Sequence, residues 1–436
     1  MIFQILMLAV IILIAIILPL CIIYFGWRSF IDPVMGVKLA LTLFIVNTFI
    51  PLPHLPLGVT IYFPDLLYLL LIFVGLFRLF SKLQFRLIHW LWLYMGIVFL
   101  SLFAVGLLRF KTIAGIEFRL VFPFWAGGLY LMTFQLSQEQ VDKIVRAFVM
   151  TAAVMVPLIC LRWAAMIAGL SIVRYWTDGG ASLRVVGAGE ALFLAQAFII
   201  AFYVNLKDRG PKWWGWLIPI LFCCIIVLQH RSVWVVTVIS FLFIFFLLPN
   251  ARGRFLKQFG IGTIIGLMLI GPLVATGKLD VLTDSLEHSV GEVSSKKSTF
   301  LWRLQSTEEL VGGWAHSGPL VVLFGKPFGS GFERYLEVQK AKTNVAPHNH
   351  YVLILLRGGG LGLLSFLLVY LITVRHYIVS KVVYGRFLES RLLAVLLLGQ
   401  LTYFLTYGAE DIQFVVAGLA LALFTTFPAD KKSDLA

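Results

Sequence analysis

Residues 347–373 read PHNHYVLILLRGGGLGLLSFLLVYLIT, and they are the clearest sign of the architecture of this chain. Four polar or turn-forming residues are followed by a long apolar run that contains one charged residue, Arg357. A bilayer core needs roughly 20 apolar residues per helix, and main-chain groups in lipid must form their hydrogen bonds within their own segment. The stretch therefore predicts a membrane-spanning helix whose first turn carries His348, Asn349 and His350.

Similar apolar runs recur along the whole chain. Of 436 residues, 60% are hydrophobic and 13% are charged, and the mean hydropathy is +0.96. We expect an all-α, polytopic helical membrane protein with about 12–13 transmembrane helices. The predicted spans are 3–25, 37–50, 58–77, 87–108, 113–134, 147–170, 189–206, 213–229, 232–249, 259–276, 349–373, 392–408 and 412–428.

These spans divide the chain into three parts. Residues 1–276 form an N-terminal group of membrane helices, 277–347 a large loop, and 348–436 the C-terminal membrane helices. Within the loop, 279–290 and 298–313 are expected to be short helices and 325–331 a turn, so that the loop covers the mouth of the bundle as a lid. Thirteen spans with a cytoplasmic C-terminus put Met1 outside. Twelve put both ends inside, in which case 37–50 or 113–134 does not cross.

The distribution of charge predicts the orientation. The formal net charge is +14, and the excess lies in short loops and at the C-terminal end. Segment 277–347 instead holds eight basic and eight acidic residues. By the positive-inside rule, the basic loops face the cytoplasm and the large loop faces the opposite side. The basic excess is thus a topology signal, and no nucleic-acid partner is expected. The basic residues are Arg78, Lys82, Arg86, Lys143, Arg146, Lys207, Arg209, Lys212, Arg252, Arg254, Lys257, Arg375, Lys381, Arg386, Arg391, Lys431 and Lys432.

Four arginines, at positions 119, 162, 231 and 357, lie within or at the edge of apolar runs. Charges at membrane depth are costly and usually face a partner or a wet cavity. Arg231 begins a span on the outer side, where it binds an anion or merely extends to the interface. Arg119 needs a partner elsewhere, because Glu117, two residues away on a helix, does not face it.

His348 is the candidate for chemistry. A histidine at a helix start is a cap, an interfacial hydrogen-bonding group or a base, and the sequence alone leaves these roles open. Outer arginines nearby favour the base, since a base beside an anion clamp suits transfer from a phosphate-linked donor. His348 and His350 diverge on a helix and no carboxylate cluster is near them in sequence, so we predict no metal site and no cofactor.

Several short motifs together resemble the O-antigen ligase and O-antigen polymerase superfamily, whose members are polytopic bacterial inner-membrane glycan transferases. His348-Asn349 followed by Gly359 and Gly362 is similar to the signature of that superfamily. The likeness covers roughly 170–375, and Arg357 departs from relatives that often carry an acidic residue there. The other matching motifs are Arg184-Val185-Val186-Gly187, Arg231-Ser232, Trp302-Arg303-Leu304 and Pro327-Phe328-Gly329-Ser330-Gly331.

This resemblance implies a metal-independent, inverting glycosyl transfer at the periplasmic face. The donor would be a glycan linked to undecaprenyl diphosphate, and the acceptor would be lipid A-core or a second lipid-linked glycan. His348 would be the base, and Arg231, Arg184 and Arg303 would bind the diphosphate. Asn349 and His350 are further candidate substrate-binding residues. Ligase and polymerase both remain open.

Two other classes are also considered. A transporter or lipid flippase without covalent chemistry would use interrupted helices and ionisable groups within the membrane, for which Asp65 and Glu190 are candidates. It has no need of a long outer loop that ends in His-Asn. A metal-dependent glycosyltransferase would need acidic residues in its first outer loop, and the chain lacks that motif.

Overall fold

The computed structural model describes residues 24–50, 54–56, 60–82, 85–168, 170, 184–249, 252–260, 264, 299–337 and 340–426. Most of the predicted spans 3–25 and 259–276, and the predicted helix 279–290, lie outside these residues. The described chain is α-helical apart from two short antiparallel strand pairs, which agrees with the all-α prediction.

The elements are as follows. The first half contains α1 (Pro33–Phe49), β1 (His54–Pro56), β2 (Thr60–Tyr62), α2 (Phe63–Lys82), α3 (Leu87–Phe110), α4 (Thr112–Phe118), α5 (Phe122–Met132), α6 (Gln138–Ile167), α7 (Ala188–Leu206), α8 (Lys212–Val227) and α9 (Arg231–Leu247). The second contains α10 (Thr299–Ala315), α11 (Pro319–Phe324), β3 (Arg334–Leu336), β4 (Ala341–Thr343), α12 (His350–Val379), α13 (Ser390–Tyr403), a 3₁₀ turn (Asp411–Gln413) and α14 (Phe414–Thr426).

Among the described residues, four helices are both long and apolar enough to cross a membrane: α3, most of α6, α7 and α12. Helices α1, α8, α9 and α13, and the 3₁₀ turn with α14, are apolar but shorter. The predicted helix 298–313 is present as α10. Helix α6 begins at Gln138, nine residues before the predicted span, because Ser137 and Gln140 cap each other there.

The core lies where α3, α5, α12 and α14 pack together. Helices α3 and α5 approach so closely that Gly96 faces the ring of Trp125 and Gly128 faces the ring of Trp92. The two indoles donate to each other's main chain, with Trp92 Nε1 3.2 Å from the Trp125 oxygen and Trp125 Nε1 3.0 Å from the Trp92 oxygen. Small residues at a helix crossing permit this approach.

The predicted span 113–134 is broken in two. Helix α4 ends at Phe118 and α5 begins at Phe122, with Arg119 in the gap. Arg119 pairs with Asp65 at 2.9 Å, so its partner is remote in sequence, as expected. Pro123 follows at the start of α5, where its fixed φ favours a new helix.

Helix α12 contains a kink at Gly359, whose φ of +66° is left-handed. The carbonyl oxygen of Leu323, in α11, lies where a Cβ of residue 359 would stand. The main-chain N–H of Lys326 then donates to the Leu356 carbonyl oxygen, exposed by the kink, at 2.7 Å. A glycine is required here because only glycine adopts this φ and leaves room for α11.

Residues 325–331, here called the anchor loop, form the predicted turn, and three of them are buried. Phe328 is completely buried, against Phe99 and Phe118. Glu117 accepts the main-chain N–H groups of Gly329 and Gly331 at 2.6 and 2.9 Å. Part of the segment predicted as an outer lid is therefore packed against α3 and α4.

Arg357 holds the other side of the anchor loop. Its guanidinium is fully buried and pairs with Glu117 at 2.6 Å. It also donates to the Pro327 oxygen at 3.1 Å, the Ser330 hydroxyl at 2.6 Å and the Gly331 oxygen at 2.9 Å. The buried charge is stabilised by one carboxylate and three further acceptors, although its Nε has no acceptor among the described residues. The unusual arginine at position 357 thus joins α4, α12 and the loop.

Candidate functional site

The four residues before and at the start of α12 have different environments. Asn349 is the N-cap, and its Oδ1 accepts the N–H of Val352 at 3.2 Å. His350 is buried among Phe124, Phe366 and Phe404, and its Nδ1 accepts the N–H of Ala409 at 3.1 Å. These two side chains hold the start of the helix and the turn after α13.

His348 is half-buried, and within the described part of the chain its imidazole makes no hydrogen bond. Its ring lies 5.4 Å from the ring of Trp302 and 6.1 Å from that of Tyr407. Burial, and then the charges of Arg303 and Arg334, lower the pKa of His348 to about 4. The imidazole is consequently neutral near pH 7 and can accept a proton.

Arg303 extends from α10 over the ring of Tyr407, with its Cζ 4.8 Å from the ring centroid. Its Nη2 donates to the Tyr407 hydroxyl at 3.3 Å. Tyr407 in turn stacks on Tyr403, with ring centroids 5.2 Å apart. One of the predicted diphosphate-binding arginines is thereby placed beside the candidate base.

A second group of contacts joins the stretch that begins at Arg184 to the turn before Arg231. Arg231 is the first residue of α9, and its neighbour His230 caps the helix and donates from Nε2 to the Val186 oxygen at 3.0 Å. Arg184 donates to the Gln229 oxygen at 3.4 Å. The stretch Arg184–Gly187 is thus tied to the turn that begins α9, which brings two arginines 47 residues apart in sequence to one turn.

Both points lie at the same end of the helix bundle. Helix α9 runs antiparallel to α13, because Arg391 at the start of α13 bonds the Leu247 oxygen at the end of α9, at 2.8 Å. Gly399 faces Val236, about one turn from Tyr403 and from Arg231. The Phe404 carbonyl then accepts the His350 N–H at 2.9 Å. The start of α9, the end of α13 and the start of α12 therefore form one rim.

An acidic group completes this rim. Gly189, at the start of α7, packs directly on the side chain of Glu410. The side chain of Glu410 is exposed, yet crowding by protein atoms, followed by the charges of Glu190 and Asp411, raises its pKa above the usual value. This direction favours the protonated carboxyl, the form that can donate a hydrogen bond.

The structure thus places His348 and Arg303 beside the same ring, that of Tyr407, and ties Arg184 to the turn that precedes Arg231. It also places Asn349 and His350 in main-chain contacts. Sequence reasoning missed Arg334 and Glu410. Arg334 follows the anchor loop without a recognisable spacing, and only folding places it near His348. Glu410 had a weak signal, since the pair Glu410-Asp411 falls between two predicted spans.

Among the residues that the structure describes, no three His, Cys, Asp or Glu side chains are arranged to hold a metal ion. Comparison of the chain with protein-family models, with curated proteins and with solved structures finds no match.

Proposed function

We propose that the chain is a bacterial inner-membrane glycosyltransferase of the O-antigen ligase or O-antigen polymerase type. It transfers a glycan from undecaprenyl diphosphate to a hydroxyl group of lipid A-core or of a second lipid-linked glycan. The observation that carries the proposal is the state of His348. It is accessible and neutral, it is not engaged in a hydrogen bond with any described residue, and arginines lie beside it.

The chemistry follows from this arrangement. The acceptor hydroxyl oxygen forms a bond to the anomeric carbon while the bond from that carbon to the diphosphate oxygen breaks. The bonding electrons leave with undecaprenyl diphosphate, and the hydroxyl proton goes to the imidazole of His348. Arginine forks stabilise the charge that develops on the leaving group. Attack opposite the leaving group inverts the anomeric centre.

The low pKa of His348 is consistent with a base that is tuned by its substrate. In the free protein, burial, and then the charges of Arg303 and Arg334, disfavour the imidazolium. A bound diphosphate brings negative charge that offsets the contribution of the arginines, so the pKa of His348 rises when the donor binds. The base is then strengthened only when the donor is bound.

Basic loop residues support the proposed orientation, because they meet at the end of the bundle opposite His348. The main-chain N–H of Arg386 donates to the carboxylate of Asp142, its Nε donates to the Arg209 oxygen, and Arg254 pairs with Asp208. By the positive-inside rule this end is cytoplasmic. We accordingly propose 12–13 spans, with His348, Arg231 and segment 277–347 on the periplasmic side.

The test is reconstitution of the full chain in liposomes with an undecaprenyl-diphosphate-linked glycan, in the presence of EDTA. We expect the wild type to form product, His348→Ala to abolish it, and Arg231→Lys to reduce it strongly because lysine retains the charge but loses the fork. Matched controls are His316→Ala and Arg252→Ala, at exposed positions remote from the rim. Full activity of folded His348→Ala, or inactivity with EDTA restored by a divalent metal, would refute the mechanism.

The acceptor is decided in the same preparation. Donor alone gives longer lipid-linked chains if the protein is a polymerase. Added lipid A-core gives a product on lipid A if it is a ligase. The two products differ in mass and in mobility on a gel.

One observation favours the transport alternative. The chain contains an interrupted span at Arg119 and a kinked helix at Gly359, and interrupted helices are typical of transporters. However, Arg119 in the gap pairs with Asp65, and α11 packs into the kink at Gly359. Movement of a lipid-linked glycan from one leaflet of the liposome membrane to the other, without formation of a covalent product, would favour this alternative.

A further inference from the structure

Arg334 is a buried arginine with an incomplete set of partners. It begins β3, where it pairs in register with Thr343 of β4, and only 6% of the residue is exposed. Its Nη1 donates to the carbonyl oxygens of Phe332 and Val345, both at 2.8 Å. Its Nε and Nη2 are buried and, in the described residues, have no acceptor.

No carboxylate of the described chain pairs with Arg334. The adjacent acidic residue, Glu333, pairs instead with Lys342 at 3.7 Å, on the exposed side of the hairpin. The Cζ of Arg334 lies 5.9 Å from the centroid of the Trp302 ring. A buried charge without a counter-ion, and with N–H donors unsatisfied, is costly. Such a group calls for an explanation.

The unsatisfied atoms have a specific geometry. Nε and Nη2 lie on the same edge of a guanidinium and form the two-pronged fork that takes both oxygens of a carboxylate or a phosphate. Nη1, which is on the other edge, is the atom fixed by the hairpin carbonyls. The hairpin therefore orients the guanidinium and leaves its anion-binding edge unoccupied.

Other buried donors nearby also lack acceptors. They are the indole N–H of Trp302 and the Nε of Arg303, both on α10. Trp302 contacts both Arg334 and His348, and the charges of both arginines act on His348. All of these unsatisfied atoms are donors. The ligand that would satisfy them must be rich in acceptors and negatively charged.

We infer that Arg334, with Trp302 and Arg303, forms an oxyanion subsite beside His348 that binds a phosphate or diphosphate group. This subsite is built by α10 and the β3–β4 hairpin, whereas Arg184 and Arg231 belong to helix ends. The inference rests on the proposed function in one respect only: in that reaction, the bound group would be the diphosphate of a lipid-linked glycan. The subsite would hold this group against the residues that precede α12.

The test is binding by the full chain in nanodiscs of phosphatidylcholine. Inorganic pyrophosphate is one probe, and undecaprenyl diphosphate incorporated in the disc is the other. Binding to the native state raises the apparent melting temperature with ligand concentration. We expect stabilisation of the wild type by at least one probe. Stabilisation by the lipid alone identifies a lipid headgroup as the source of the anion, and stabilisation by pyrophosphate identifies a site open to a soluble anion.

Arg334→Gln should weaken binding of the effective probe by about tenfold or more, the scale of hydrogen bonds to charged groups. Trp302→Phe keeps the aromatic ring but removes the N–H, and should weaken it severalfold. Lys342→Gln, on the exposed side of the same hairpin, is the matched control and should bind as the wild type does. The ligand-free melting temperature of Arg334→Gln should stay within about 2 °C of the wild type, because removal of an uncompensated buried charge offsets the loss of the bonds to the Phe332 and Val345 carbonyls.

Several outcomes would overturn the subsite. They are no binding of either probe by the wild type, or wild-type binding by Arg334→Gln. If Arg334→Gln is misfolded, Trp302→Phe decides, and normal binding by that variant also overturns it. The subsite and the proposed reaction can fail independently. If binding depends on Arg334 but no glycosyl transfer occurs, the subsite is supported and the reaction is refuted. If transfer requires His348 but binding does not depend on Arg334, the reaction is supported and the subsite is refuted.

Discussion

The ion pair between Arg357 and Glu117 offers a sharp test of how the anchor loop is held. The side chain of Arg357 is 0% exposed and that of Glu117 is 8% exposed. Removing one partner of a buried pair costs about 3–5 kcal/mol, because the other charge stays buried and uncompensated. That cost corresponds to roughly a hundredfold to a few thousandfold in the folding equilibrium.

The two single variants should differ. Glu117→Gln leaves the guanidinium of Arg357, which does not deprotonate in proteins, with only carbonyl and hydroxyl acceptors. Its cost should lie near the upper end, about 5 kcal/mol. Arg357→Met leaves Glu117 with the N–H donors of Gly329 and Gly331, and this carboxyl can also take up a proton. Its cost should lie nearer 3 kcal/mol.

The assay is equilibrium unfolding in mixed micelles, followed by tryptophan fluorescence, for both single variants and the double variant. The double variant should be less destabilised than the sum of the singles by about 1–3 kcal/mol. The matched control is the exposed pair of Lys143 and Glu139, for which Lys143→Met and Glu139→Gln should cause no measurable change. Additive losses at Arg357 and Glu117, or losses as small as in the control, would refute the reasoning.

Three further predictions concern stability and pH. Gly359→Ala should destabilise the fold by about 1–3 kcal/mol, because φ is +66° and the Leu323 oxygen occupies the space of a Cβ. Gly312→Ala is the control in the same unfolding assay. It should be neutral or stabilising, because no atom lies near the added Cβ. The pKa of Glu410 rises from 4.5 to about 8 in the folded state, so the folded protein holds a proton that the unfolded chain has lost between these values. Stability should therefore fall as pH rises through this window, and Glu410→Gln should flatten the dependence of the apparent melting temperature; equal slopes would contradict the shift. The pKa of His348 is about 4 in the free protein, so the acid limb of the kcat/KM profile should lie near pH 4. The acid limb of the kcat profile, measured in the same transfer assays, should lie at higher pH. Coincident acid limbs would exclude a change in the pKa of His348 on donor binding.

Hydropathy predicted most helices in the described chain because the rule behind it is local. A main chain in lipid must satisfy its own hydrogen bonds, so an apolar run of sufficient length becomes a helix whatever surrounds it. Helices α7, α9 and α12 begin within one residue of the predicted spans. The same reasoning failed at 113–134, because the break at Arg119 depends on Asp65, a partner that no local pattern reveals.

The candidate site, too, was predicted in part from the sequence and in part decided by packing. The sequence by itself indicated that His348 stands at the start of a membrane helix and that arginines recur on the same side. It separated His348, the candidate base, from His350 only through the likeness of the motif, since both are histidines in one turn. Packing makes the difference: His350 is enclosed by three phenylalanine rings and bound to Ala409, while His348 reaches solvent.

Tertiary structure alone decided which charges meet. Arg184 and Arg231 share a turn, Arg357 finds Glu117, and Arg334 lies near His348 with its fork unoccupied. The physical reason is that helix formation depends on neighbours three or four residues away, whereas the energy of a buried charge depends on atoms supplied by distant segments. Composition and hydropathy therefore specified the helices, and only their packing specified the rim around His348.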